Sequence, residues 1–218
     1  MPVPLDLSSL ATGCRDLSRR DPALGTLYAR NGLPPLWRRA PGFGTLVKLI
    51  LEQQVSLASG AAAYRRLEEE LGEVDPHRFL GLDDVTLRRI GFSRQKARYV
   101  RLLAEELTSG TFDLGALAHG DDGAVTTELT RLTGVGPWTA ANYLLFALGR
   151  PDAWPTGDRA LVVSMSRHVG GGRVPSYQEA DRVAENWRPW RAVAARLLWH
   201  DYLGGRSYDP SSFGPELG

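Results

Sequence analysis

An all-α fold is what the sequence predicts, and three features carry that prediction. Apolar residues recur at three- and four-residue spacing in one segment after another. Those segments open on Asp, Ser or Pro, the residues that start helices, and several stop at Gly. No stretch of useful length alternates apolar with polar residues as a half-buried strand would.

Taken in order, Asp21-Pro22 begins a short helix ending near Gly32, with Leu24, Leu27 and Tyr28 turned inward. A connector rich in proline and glycine (Pro34, Pro35, Pro41, Gly42) leads to an apolar helix from about Thr45 to Glu52. Ser56 caps the next, which runs to Gly72 and carries an Arg65–Glu69 pair at i,i+4. Asp84 and Ser93 cap two more, the second with Ala97, Val100, Ala104 and Leu107 on one face. A helix follows Asp158 to about His168, and Ser176 with Glu179 forms a capping box for another. Pro189 opens the last helix, ending near Tyr202, and the tail from Gly204 onward reads as loop.

Between these lies the most informative stretch, Asp122 to Gly149. Asp122 caps a helix whose Val125, Leu129 and Leu132 share a face. Thr133 to Gly136 form a turn with two glycines, and Pro137 suits the first turn of a second helix that runs through Leu144, Leu145 and Leu148 to Gly149. The pattern reads as a helix-hairpin-helix. Turn amides beside the positive end of a helix dipole make a ready anion site, suited to a nucleic-acid backbone.

Composition sets the bounds. A chain of 218 residues can bury one good core, or two small lobes sharing a cleft. No apolar run is long enough to span a membrane and the start lacks a signal pattern, so an intracellular, soluble protein is expected. The one cysteine, Cys14, excludes an internal disulfide and a four-thiolate iron–sulfur cluster. No cluster of His, Cys and Glu suggests a transition metal. A net charge of +1 is modest for a nucleic-acid binder, but the charge is unevenly placed. Arg88 to Arg101 holds six basic residues and no acid, whereas Leu102 to Thr130 holds six acids and no Lys or Arg.

The string Leu132-Thr133-Gly134-Val135-Gly136-Pro137-Trp138-Thr139-Ala140 resembles the signature of the helix-hairpin-helix (HhH-GPD) DNA glycosylase superfamily, in its AlkA-like 3-methyladenine branch. Four further stretches match that branch in order: Ile50 to Ser56, Gly91 to Ala97, Trp154 to Asp158, and Trp187 to Arg191 followed by Trp199. The likeness covers about residues 20 to 205. It implies two helical lobes, 1–50 with 150–218 and 51–149, with the DNA-binding hairpin on the second and an active cleft between them. With a helical core starting by about residue 20, the chain is expected to be a short form without the extra N-terminal domain of larger relatives.

The same resemblance assigns roles. Asp158 is the catalytic carboxylate; from position alone it could equally be an N-cap, and the two are compatible because amides at a helix start favour the ionised form. Trp138 and Trp199 match aromatic pocket positions, and an aromatic face attracts a cationic alkylated base. Trp187 and Trp190 are assigned to the core. The chain departs from the family's pattern at Asn142, with Tyr143 beside it, and at Arg159, which implies a more open or more polar pocket. Gln54 takes the place of the side chain that wedges into the base stack. Gln53, Ser93, Lys96, Gly134, Gly136 and Thr139 are expected at DNA. The backbone carbonyls of Thr130, Leu132 and Val135 are expected to hold Na⁺ or K⁺, with no cofactor required. Strand-cutting members carry a lysine where this chain has Trp138, and the only lysines here are Lys48 and Lys96.

The expected function is therefore a monofunctional glycosylase acting on alkylated bases in duplex DNA, chiefly 3-methyladenine and also 7-methylguanine and related lesions. Its expected setting is a monomer, off the membrane, cytoplasmic (nucleoid-associated in a bacterium), passing abasic sites to downstream repair enzymes. Two other readings stay open: a non-catalytic damaged-DNA-binding protein, and a glycosylase for oxidised or deaminated bases.

Overall fold

The computed structural model describes residues 3–168 and 172–204, and among them there are helices and no strands. The helices are α1 (Leu7–Arg20), α2 (Pro22–Asn31), α3 (Phe43–Glu52), α4 (Leu57–Leu71), α5 (Pro76–Leu80), α6 (Asp84–Ile90) and α7 (Arg94–Thr108). They continue as α8 (Asp122–Arg131), α9 (Pro137–Phe146), α10 (Arg159–His168), α11 (Tyr177–Ala184) and α12 (Arg191–Tyr202). The predicted tail beyond Gly204 lies outside the described residues.

Side-chain caps set most of the starts. Asp21, Ser56, Ser93 and Ser176 each accept a hydrogen bond from an amide inside the first turn, and Ser176 with Glu179 closes a capping box. Each such cap contributes about 1 kcal/mol. In both Asp-Asp pairs the first aspartate caps, Asp83 for α6 and Asp121 for α8. Asp84 and Asp122, expected as the caps, instead sit in the first turn, where the helix dipole favours negative charge. The hairpin's second helix closes at Phe146, and Gly149, expected as its stop, bends the chain three residues later at φ 66°.

Two helices were not expected. The helical core begins at Leu7 rather than near residue 20, because α1 buries Leu10, Cys14 and Leu17 despite a face broken by serine, threonine and glycine. Gly13 is required there: a Cβ would stand 2.9 Å from the Trp190 ring. The five-residue α5 is too short to show a period.

The terminal helices α1, α2, α10, α11 and α12 pack together, while α3 packs against α4, α7 and α9 beside the α8–α9 hairpin. Arg196 ties the two groups: fully buried on α12, it donates to the carbonyls of Leu36 and Leu145 at 3.0 Å. A second buried arginine, Arg39, forks onto both oxygens of Glu52 at 3.1 and 2.9 Å. No described helix is long and apolar enough to cross a membrane.

Candidate active site at the junction of α9, α10 and α12

The hairpin turn is shaped by one glycine and left open by the other. Gly134 has φ 88°, and a Cβ there would fall 2.3 Å from the Tyr99 ring, so both conformation and packing demand glycine. Gly136 has φ −93°, which any residue adopts, and a Cβ there would meet nothing within 4 Å. It caps α9 without a side-chain hydrogen bond, and Pro137 follows with no amide to satisfy. The turn thus presents bare backbone next to the positive end of a helix, open to an outside group.

Several residues expected at DNA turn out to build the hairpin. Gln53 donates from Nε2 to Gly134 O at 2.9 Å and to Thr139 Oγ1 at 3.0 Å, which points both side chains inward. Thr139 is only 1% exposed. Lys96 does not reach outward either: Nζ donates to the carbonyls of Leu51 and Gln53 at 2.7 and 2.9 Å, capping the end of α3. Ser93 is exposed and accepts from Lys96 N, the N-cap geometry its sequence implied. Gln54 is also exposed and sits at φ 55°, a left-handed conformation that a non-glycine residue adopts at a cost. Of the three hairpin carbonyls, Leu132 O already accepts from Val135 N at 3.0 Å and keeps one lone pair.

Asp158 stands just before α10 and is half-buried, neither sealed in the core nor free in solvent. Its Oδ2 accepts from Trp138 Nε1 at 2.9 Å, and Oδ1 accepts from Trp199 Nε1 at 3.2 Å and from Leu161 N at 3.0 Å. Three donors from three helices fix the carboxylate, and one of its roughly four acceptor positions stays open. The Leu161 amide gives the N-cap that the position implied, and the two indoles bind the same carboxylate. Asp152 and Asp201 are committed elsewhere: the first to Arg188 and Arg191, the second to Arg30 and His168.

The aromatic wall follows from what backs it. Trp199 stacks on Phe146 with centroids 5.5 Å apart and meets the edge of Trp37 at 6.4 Å. Trp138 and Trp199 both keep partial exposure beside Asp158. Trp187 is core, with Nε1 bonded to Asp21, and Trp190 packs half-buried under Gly13. Tyr143 and Asn142 are not brought to this wall. Tyr143 is fully buried on the core side of α9 and its hydroxyl accepts from Gly42 N at 2.9 Å. Asn142, 1% exposed, donates to Trp138 O one turn back. Arg159 is exposed. Tyr99 under Gly134, Phe146 behind Trp199 and the Arg39–Glu52 pair were not anticipated, since each acts through a contact between distant segments.

Residues 47–189 match the family model of the HhH-GPD superfamily base excision DNA repair protein. The chain is 31% identical over 196 residues to DNA-3-methyladenine glycosylase 2 of Escherichia coli, covering 82% of this chain and 64% of that protein. It is 28% identical to the YfjP protein of Bacillus subtilis, of which it again spans 64%. A solved 3-methyladenine DNA glycosylase of Schizosaccharomyces pombe, in complex with abasic DNA, superposes with a TM-score of 0.79 at 21% identity, over 90% of this chain and all of that one. An 8-oxoguanine glycosylase/lyase of Clostridium acetobutylicum gives the same TM-score at 17% identity, over 92% of this chain and 71% of that one. These two likenesses establish the fold.

Proposed function

The chain belongs to the HhH-GPD superfamily of base excision DNA repair proteins, and from that premise we propose that it is a monofunctional DNA glycosylase releasing alkylated bases from duplex DNA. The observation that carries this reading is the carboxylate of Asp158, held by two indole N–H groups and the Leu161 amide beside the aromatic faces those indoles belong to. The open backbone at Gly136 would hold a phosphate, and exposed Gln54 would fill the gap left by an extruded nucleotide.

Breaking the N-glycosidic bond sends its electron pair to the base and leaves positive charge on the deoxyribose. Asp158 stabilises that charge, and water adds at the anomeric carbon while its proton passes to the carboxylate or to solvent. An alkylated purine carrying positive charge leaves as a neutral base, so no strong general acid is needed. Its cationic ring is attracted to the faces of Trp138 and Trp199 by about 0.5–2 kcal/mol. What supports the absence of lyase chemistry is that neither lysine is placed at Asp158: Trp138 stands at the lysine position, Lys96 caps α3, and Lys48 is buried on that helix, lining the cavity at its start. By resemblance the carbonyls of Thr130, Leu132 and Val135 would hold a monovalent cation that stiffens the turn, and the lone pair left on Leu132 O fits such weak ligation. The product, an intact abasic strand, would pass to other repair enzymes.

Asp158→Asn tests the reading. It keeps the size of the side chain and removes the charge, so base release from 3-methyladenine duplex should fall by at least ~10²-fold with DNA affinity unchanged. Unchanged release would overturn the assignment. A panel of 3-methyladenine, 8-oxoguanine and uracil duplexes distinguishes the alkylation reading from the oxidised- or deaminated-base one. A protein that binds damaged duplex but releases no base from any of them is a damage binder.

A further inference from the structure

Away from Asp158, a cavity of about 320 Å³ lies at the start of α3, lined by Gly42, Gly44, Thr45, Lys48, Tyr64 and Glu68 among others. Lys48 is 4% exposed, and among the described residues its ammonium has no hydrogen-bond or ion-pair partner, only the Tyr64 ring 5.1 Å away. A side chain leans toward the N-terminus of its own helix, so this ammonium lies toward the positive end of α3. That end is itself uncapped. Gly42 offers no side-chain bond, and the amides of Phe43, Gly44 and Thr45 find no acceptor among the described residues. Gly44 is held to a bare backbone, since a Cβ would stand 2.8 Å from the Tyr64 hydroxyl.

The buried Lys48 ammonium and the uncapped start of α3 converge on this one cavity. Arg39 is neutralised by Glu52; Glu68 and Glu73 also line the cavity, and Glu52 and Glu68 offset part of the Lys48 charge, but among the described residues none of these carboxylates forms an ion pair with Lys48. We infer that this cavity is an oxyanion-binding site, taking a phosphate or carboxylate group on Lys48 and the first amides of α3. The site is separate from the Asp158 carboxylate and does not depend on the glycosylase reading. It is linked to it physically, because Arg39 lies over Phe146, the ring that backs Trp199. Burial also lowers the Lys48 pKa to about 8, so the free amine is reactive at mildly alkaline pH and an anion would quench it.

With two lysines in the chain, amine labelling read by mass spectrometry resolves Lys48 from Lys96 in the wild-type protein. Inorganic phosphate, acetate and undamaged duplex DNA are each compared with chloride at equal ionic strength. Labelling of Lys48 should slow saturably with phosphate or acetate while Lys96 is unaffected. Protection by duplex alone would assign the group to a DNA phosphate and still support the site. A matching rise in melting temperature should vanish in Lys48→Met. Equal labelling of Lys48 in all four solutions would overturn the inference.

Discussion

At Asp158 the two indole donors are not equivalent. Trp138 reaches Oδ2 alone at 2.9 Å, whereas Trp199 shares Oδ1 with the Leu161 amide at a longer 3.2 Å. A hydrogen bond to a charged group contributes about 1.5–3 kcal/mol, so Trp138→Phe should lower kcat by roughly 10- to 100-fold while keeping the ring. Trp199→Phe, whose oxygen keeps the Leu161 donor, should cost less than about tenfold. Single-turnover base release measures both; equal losses would show that the indoles act only as surfaces. The N-cap at Asp158 was legible because a helix start and a preceding glycine coincide there. Tyr143 was misplaced for the opposite reason. In α9 nearly every residue is buried, so adjacency to Asn142 carried no information about which face looks toward the carboxylate.

At the scale of the element, the hairpin separates a glycine kept for the fold from one that leaves backbone open. Gly134→Ala forces a Cβ into the Tyr99 ring at a positive φ, and should cost more than about 2 kcal/mol by denaturant unfolding. Gly136→Ala meets open space, so its stability cost should stay under about 1 kcal/mol, that of losing a glycine N-cap. Binding to undamaged duplex, by contrast, should weaken in Gly136→Ala if phosphate approaches there; unchanged affinity would remove Gly136 from the interface. Helix existence was readable wherever Asp or Ser met a long apolar period, as in α4, α7 and α8. α1 escaped because Gly13, needed against Trp190, breaks the pattern that would have announced it. Gln53 and Lys96 look like surface polar residues in the sequence. Their true acceptors, Gly134 O and the end of α3, come from elements brought together only by folding.

Across the whole molecule, charges sit inside the protein that no periodicity could reveal: Arg196 on three carbonyls, Arg39 on Glu52, and Lys48 over the Tyr64 ring with no hydrogen bond or ion pair among the described residues. The third leaves a signature in stability against pH. Burial holds Lys48 near pKa 8, below the ordinary 10.5 of the unfolded chain. Below pH 8 both states carry the proton and the folded state bears the full desolvation penalty, at most about 3 kcal/mol. As pH rises above 8 the folded protein releases that proton first, the unfolded chain binds more protons, and stability increases up to about pH 10.5. Cys14, Tyr64 and Tyr143, each raised to about 12 by burial, act in the opposite sense once their unfolded counterparts ionise. Comparison with Lys48→Met cancels that background, since the variant retains all three. In a buffer free of phosphate and carboxylate, wild type should gain about 1 kcal/mol on the variant between pH 8 and 9. Urea unfolding at the two pH values reads the difference directly; a gap that does not change would mean that the ammonium is solvated or paired in the folded state.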